Sequence, residues 1–453
     1  MTAVPVATPT RRDFARRNTW DGDPDAIVID DEAGGRHVFV VDGSRLYELD
    51  ASTADHMAQA VSERAAGKAL ARLGLTGEPF VDDRPLAAPP VRAVSLAVAQ
   101  KCNLGCTYCY AQQGDFGMES RLMSFEEAAR AVDLLLEDCA AGDRVTVAFM
   151  GGEPLVNRVV VRAATEYVVS RAAALDVEAR LSITTNGTLV DAGDAEFFER
   201  HGFAVTISID GDRETHDTLR PYRNGRGSYD RILARVRPLL ARQHRMQVSA
   251  RVTVTPANLA IDEIVDHLLA LGFHSVGVAP MLSSPTGAGE VGAAELAELL
   301  AHMIAAGRAY ERHTLAGDRY AFANVANAMR EIDRGTHRPY PCGAGAGYLG
   351  VAAGGELSAC HRFVGDDAGR LGSLDAGLDA GLRATWLRDR HVHRQEPCRS
   401  CWARYLCGGG CHHEVVHRGR PACDYIRGWL EYCIGAYARL TRAGVTFSDD
   451  GLQ

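Results

Sequence analysis

The sequence has no apolar run long enough to cross a bilayer as a helix, which takes about 20 residues. It does not open on the charged start and apolar core of a secretory signal, so a cytoplasmic protein is expected. Basic charge is not in excess. Lys and Arg number 49 against 58 Asp and Glu, a net charge of −9, which removes the electrostatic footprint of a nucleic-acid-binding protein. A disulfide framework is also not expected, because cysteines in a reducing compartment serve metals or catalysis. What remains is 453 residues of ordinary globular composition, enough for two or three domains with their own cores.

Cysteine is the residue the chain has in quantity. Twelve are present, and eight of them lie after residue 340. Cys102, Cys106 and Cys109 form C-x3-C-x2-C within KCNLGCTYCY, too close together for routine disulfides and one short of a closed four-thiolate site. Three thiolates on a short loop suit three irons of a [4Fe–4S] cube and leave the fourth open, as a catalytic metal keeps one position vacant. A zinc knuckle is the alternative. In the C-terminal quarter, Cys342 is followed by Gly355 and Cys360 as C-x12-G-x4-C. Cys398, Cys401, Cys407 and Cys411 follow as C-x2-C-x5-C-x3-C, then Cys423; that four-cysteine run alone would suit a zinc ribbon. Cys139, expected within the first helix of the α/β region, and Cys433, on a terminal helix with Trp429 and Leu430, read as core.

Residues 1–25 are polar, Arg-rich and aperiodic, a flexible arm. Ala26–Ile29, His37–Asp42 and Arg45–Leu49 read as strands with a turn at Asp42-Gly43, and helices follow from a Ser52 cap and over Ala65–Leu73. Residues 26–84 thus form a small α+β module, and PLAAPP at 85–90 a linker. Over 91–335, apolar strands near Val94–Val98, Val145–Met150, Leu181–Thr184, Val205–Ile209, Val248–Val254 and Val276–Pro280 alternate with helices, the first opened by a Ser124/Glu127 capping box. The pattern predicts an α/β fold, a partial barrel of six β/α units with its chemistry at the C-terminal strand ends. Residues 336–453 form the second cysteine-rich unit.

Several residues fall at those strand ends. Gly151, Gly152, Glu153 and Pro154 combine glycines that admit a ligand to the backbone with a carboxylate suited to an ammonium group. Thr184 and Asn186 suit a ribose. Ser208 and Arg220 flank Asp210, Gly211, His216 and Asp217, and Arg grips carboxylates bidentately. Met281 stands where a purine would lie against it. His412, His413 and Glu414 directly follow Cys411 and supply candidate acid–base groups.

The loop with Cys102, Cys106 and Cys109, with Tyr108 before the last cysteine, resembles the cluster loop of radical S-adenosylmethionine (SAM) enzymes. GGEP about fifty residues later resembles that family's motif for the SAM amino group, and Ser208 with Arg220 resembles the pair contacting SAM carboxylate and ribose in peptide-modifying members. The seven-cysteine order after residue 340 is similar to the SPASM extension. The resemblance implies a [4Fe–4S] cluster that binds SAM and yields a 5′-deoxyadenosyl radical, and two auxiliary [4Fe–4S] clusters. Cys342, Cys360 and Cys411 would hold one of these, and Cys398, Cys401, Cys407 and Cys423 the other. It also implies a reductant such as flavodoxin or ferredoxin.

The chain departs from the sulfatase-maturing pattern twice. No cysteine stands a few residues before Cys342, and His361 follows Cys360 where those members carry an aspartate base. His361 joins the acid–base candidates on that ground. The open place on the first auxiliary cluster is left to a substrate thiolate, to Cys433 or to water. The N-terminal module resembles the winged-helix unit that grips leader peptides through a sheet edge. CWARYLCGGGCHHE looks most like maturases that join cysteine sulfur to carbon. The implied function is a peptide maturase acting on a ribosomal precursor peptide and forming a thioether or other C–H modification, with no membrane and no nucleic acid involved. A radical SAM dehydrogenase and, from another class, a zinc-bearing scaffold are the alternatives.

Overall fold

The computed structural model describes residues 20–31, 33–76 and 81–447. Most of the predicted arm, residues 1–19, lies outside the described residues. Strands β1 (Ala26–Asp30), β2 (Arg36–Val40) and β3 (Arg45–Leu49) form an antiparallel meander in that order. Helices α1 (Ala51–Ser62) and α2 (Ala66–Arg72) cover it. The cap of α1 is Asp50 rather than Ser52, and its carboxylate accepts from the backbone N–H of Ser52 and Thr53. Aspartate supplies a charged acceptor at the positive helix end, so it outcompetes the serine two positions on.

Period two gives the meander two apolar faces. Val38 and Val40 pack with Met57 and Leu70 under the module's own helices. Phe39 and Val41 face the opposite way into the main core, with the Phe39 ring 6.1 Å from Trp402. The module is therefore keyed to the C-terminal region on one side.

The larger sheet begins with β4 (Ala93–Ala99) and continues through α3 (Phe125–Leu136), β5 (Arg144–Gly151), α4 (Arg158–Ala174), β6 (Glu178–Thr185), α5 (Ala192–His201) and β7 (Ala204–Ser208). Then come α6 (Arg213–Leu219), α7 (Tyr229–Leu240), β8 (Gln247–Val254), α8 (Ile261–Ala270) and β9 (Val276–Pro280). β4 to β9 are parallel and neighbour one another in sequence order, which is the six-strand partial barrel expected. The Ser124/Glu127 capping box opens α3 as predicted. Cys139 lies beyond the end of α3, half-buried, instead of within the helix.

Helices α9 (Ala293–Ala316) and α10 (Ala323–Asp333) lead out of the barrel. The cysteine-rich region holds β10 (Tyr348–Val351), β11 (Glu356–Ser358), β12 (Arg370–Ser373) and β13 (Gly377–Leu378). Helices α11 (Ala380–Arg390), α12 (Arg404–Cys407), α13 (His412–Arg418) and α14 (Cys423–Arg442) complete it. The sequence reading did not foresee that β10 pairs in parallel with β4, which makes one ten-stranded sheet of the two regions. Among the described residues no helix is long and apolar enough to cross a membrane.

Candidate functional site

The three cysteines of the first motif lie on the loop leaving β4 and face one another closely enough that each thiolate would disfavour the next. Burial pushes the thiols of Cys102 and Cys106 up to about 11, so they give up their protons only to a cation, as metal binding requires. Three convergent, half-buried thiols fit a cluster with one iron left open.

Two backbone contacts hold this loop from below. Gly105 N donates to Pro221 O at 2.8 Å, and Thr107 N donates to Leu219 O at 3.0 Å. From the side, Gly152 N donates to Ala99 O at 2.7 Å and Glu153 N to Lys101 O at 2.9 Å. Gly151 has φ +140°, and a Cβ there would stand 2.4 Å from Ala99 O; one on Gly152 would stand 2.5 Å from Lys101 O. The glycines of GGEP thus admit the cluster loop's own backbone, where the sequence suggested room for a ligand.

Glu153 is wholly buried. Its carboxylate accepts from Thr185 Oγ1 (2.7 Å), Asn186 N (2.7 Å) and Leu155 N (3.0 Å). Three of about four lone-pair positions are taken by the fold, so the side chain ties the ends of β5 and β6 together. Asn186 is similarly engaged. Its amide nitrogen donates to Asn103 Oδ1 at 2.9 Å and points at Cys102 Sγ at 3.7 Å, while its oxygen accepts from Thr188. Thr184 and Ser208 sit half-buried on the inner face of the barrel.

Arg220, Tyr108 and Met281 come together although they are far apart in the chain. Tyr108, Leu219 and Met281 form a small apolar cluster. Arg220 Nη1 donates to Tyr108 Oη at 2.5 Å, and the tyrosine hydroxyl donates to Asp210 Oδ2. Arg220 lies 3.9 Å from Asp210, and its Nε has no hydrogen-bond partner among the described residues. This relay locks the last turn of the cysteine loop to the end of β7. The sequence named Tyr108, Arg220 and Asp210 separately without linking them.

The cysteines of the second array lie in two neighbouring places. Burial raises the thiols of Cys342 and Cys360, and Cys411 lies near enough to both to add to the rise. Cys398, Cys401, Cys407 and Cys423 form a mutual group lining one cavity with Gly409, Gly410 and Arg420, and Cys411 lines its wall too. Arg427 Nη1 points at Cys401 Sγ at 3.8 Å and Arg362 Nη1 at Cys411 Sγ at 3.8 Å, placing positive charge beside each group. Cys433 belongs to neither: it is fully buried in α14, near Glu311 of α9.

The acid–base candidates do not share one place. His361 is half-buried, meets Tyr348 Oη through Nδ1 at 2.8 Å and lies 6.1 Å from the Tyr110 ring. Burial, with Arg362 and Arg251 nearby, pulls its pKa down to about 4, so it is neutral at pH 7. Glu414 is held by Arg362 at 2.7 Å. His412 is buried against Trp386, centroids 5.4 Å apart, and desolvation takes it down to about 3. His413 turns toward Phe363 and His417.

Two arginines escaped the sequence reading. Arg362 bridges Glu414, Ser283 O and the Tyr110 ring. Arg251 stands on the inner face of β8, opposite Ser208 and Gly277 on the flanking strands. A charged residue inside the apolar run of Val248–Val254 was the available signal.

A family model described as the Radical SAM superfamily matches residues 96–268. The serine-type anaerobic sulfatase-maturating enzyme of Klebsiella aerogenes is 27% identical over 364 residues, covering 76% of this chain and 86% of the relative. Among solved structures, native anSMEcpe with bound AdoMet and Cp18Cys peptide superposes with a TM-score of 0.63 at 19% identity, over 79% of this chain and 99% of the other. Streptococcus suis SuiB bound to precursor peptide SuiA gives 0.50 at 16% identity, over 88% and 97%. At these identities the two structures speak for the fold: a radical SAM partial barrel with a small N-terminal antiparallel sheet and a cysteine-rich C-terminal region.

Proposed function

Because the chain is a radical SAM enzyme, which brings a [4Fe–4S] cluster and SAM with it, we propose that it modifies a carbon of a ribosomally made peptide, with a thioether to cysteine as the favoured product. The cluster with SAM, when bound, supplies a reduced iron site and a carbon-centred radical. Cys102, Cys106 and Cys109 would hold it. Ser208, Arg220 and Met281 would contact SAM. Gly151, Gly152, Glu153, Thr184, Asn186 and Tyr108 would shape the site around it, Glu153 and Asn186 chiefly by fixing the loop.

The observation that carries the reading is the grouping of the remaining cysteines. Cys398, Cys401, Cys407 and Cys423 supply four thiols, which suits a closed auxiliary cluster. Cys342, Cys360 and Cys411 supply three, and Cys433 is buried elsewhere, in the packing of α14 near α9. A substrate sulfur is the natural fourth ligand, since coordination deprotonates a thiol. Residues 26–84 would hold the leader peptide along the edge of β3, which pairs on one side only among the described residues. His361, neutral and next to Cys360, is the best placed proton acceptor of the four candidates. The solved structures of like fold that hold peptides, anSMEcpe with Cp18Cys peptide and SuiB with SuiA, agree with a peptide substrate.

Oxidation of a sulfatase side chain is the second reading, favoured by the Klebsiella aerogenes relative. The deciding experiment is anaerobic reconstitution with SAM, dithionite and either a cysteine-bearing precursor from a neighbouring short reading frame or a sulfatase peptide. Formation of 5′-deoxyadenosine with roughly 12 irons per chain and a crosslinked precursor two hydrogens lighter supports the proposal. Colourless protein holding stoichiometric zinc overturns it, and an aldehyde on the sulfatase peptide selects the second reading.

A further inference from the structure

We propose that Arg251 is the binding site for a carboxylate carried by the substrate, an Asp or Glu side chain or a chain-terminal carboxylate; this rests on the peptide reading above. The inner face of the barrel is built from small or hydroxyl-bearing residues such as Ala148, Ser182, Thr206, Ser249 and Gly277. Arg144 and Arg180 lie toward the N-terminal rim and pair with Glu178. Arg251 sits instead at the level of Ser208, at the reactive end, with its Nη1 3.7 Å from where a Cβ on Gly277 would stand.

Neighbouring arginines have acceptors. Arg220 has Tyr108 and Asp210; Arg362 has Glu414 and Ser283 O; Arg418 has Glu290 at 2.8 Å. The Arg251 guanidinium has no hydrogen bond or ion pair to any described residue. Its side chain is open to solvent, yet burial within the chamber, with Arg362 beside it, lowers its pKa. The charges around it are Arg362 and Glu414, with His361 also near. Glu414 is neutralised by Arg362 at 2.7 Å, so the group keeps one uncompensated positive charge.

A solvent-open guanidinium with free donors at the reactive strand ends is complementary to a carboxylate, which it grips with two parallel hydrogen bonds. It faces the residues after Cys360 and Cys411 rather than the Tyr108–Asp210 relay. Ser208 is its register partner on β7, so Arg251 borders the SAM contacts on one side and Arg362 with Glu414 on the other.

The test uses the full, cluster-loaded chain and a synthetic hexapeptide library in which Asp and Asn, and Glu and Gln, are equally represented at every position. Wild type is expected to retain acid over amide by about tenfold at one position, the scale of a charge-assisted pair. Arg251→Gln should abolish that preference while iron content and SAM affinity stay at the wild-type level. Arg251→Lys, which keeps charge without the fork, should keep part of it. An acid preference surviving in Arg251→Gln overturns the assignment. So does a tenfold loss of SAM affinity with the preference intact, which would make the carboxylate SAM's own. Peptides retained without acid preference sink this inference alone; no peptide retained at all, with SAM still cleaved, sinks the peptide reading and this one with it.

Discussion

Replacing Glu153 by alanine separates a ligand contact from a structural one. The carboxylate is fully buried and accepts three hydrogen bonds, from Thr185 Oγ1, Asn186 N and Leu155 N. Alanine strands all three donors. At roughly 1–3 kcal/mol for each buried group left unsatisfied, the loss is roughly 3–9 kcal/mol, against about 5–15 kcal/mol for a whole domain. The threonine hydroxyl can rotate to another acceptor, so the lower part of that range is expected. Glutamine offers one carbonyl oxygen, best spent on Asn186 N, and leaves Leu155 N unpaired at about 1–3 kcal/mol.

The assay is thermal melting of cluster-free protein followed by circular dichroism. Without cluster or SAM, only the protein's own bonds contribute. A loss of about 3 kcal/mol corresponds to a midpoint lowered by roughly 3 °C for Glu153→Ala, with Glu153→Gln falling between it and wild type. If Glu153→Ala melts within about 1 °C of wild type while SAM affinity drops, the side chain serves the ligand only and the reasoning fails.

Cys106→Ala should abolish 5′-deoxyadenosine formation, read by chromatography, because two thiols remain where three converge. Cys433→Ala should leave iron per chain and crosslinking unchanged; loss of about four irons would make it a cluster ligand and close the open position. Cluster-free protein should lose stability as pH falls from about 6.5 toward 3. His216, His412 and His413 are held at about 3 in the fold, so the unfolded chain binds more protons across that window. Each buried histidine adds up to about 1.4 kcal/mol per pH unit, and His412→Phe should remove one such contribution from a urea-melt series. A pH slope unchanged in His412→Phe would show that His412 titrates normally.

The periodic parts of the fold were legible in sequence because period decides them. Six apolar strands alternating with amphipathic helices leave little choice but a parallel sheet, and the Ser124/Glu127 box marked the start of α3 to the residue. The pairing of β10 with β4 was not legible, since a four-residue strand in a cysteine-rich region carries no sign of its distant neighbour. At the site, cysteine spacing marked where thiols gather, on the loop after β4 and in the C-terminal region. Spacing says nothing about which atoms face which, so Gly151 and Gly152 were read as room for a ligand when the cluster loop itself fills that room. Arg251 was passed over because a single arginine in an apolar strand looks like an edge residue until the strand is seen at the barrel's inner face.

The parallel pairing of β10 with β4 also bears on how the chain is made. β4 leaves the ribosome roughly 250 residues before its partner. At about 5–20 residues per second, its unpaired backbone waits for tens of seconds. The flanking residues Val94, Leu96 and Val98 are apolar and wholly buried in the finished protein. A nascent or truncated chain ending near residue 335 therefore presents an open, hydrophobic strand edge of the kind that templates aggregation. Expression of the barrel without its C-terminal quarter should yield inclusion bodies, and slow synthesis should make this protein unusually dependent on chaperones that shield strand edges.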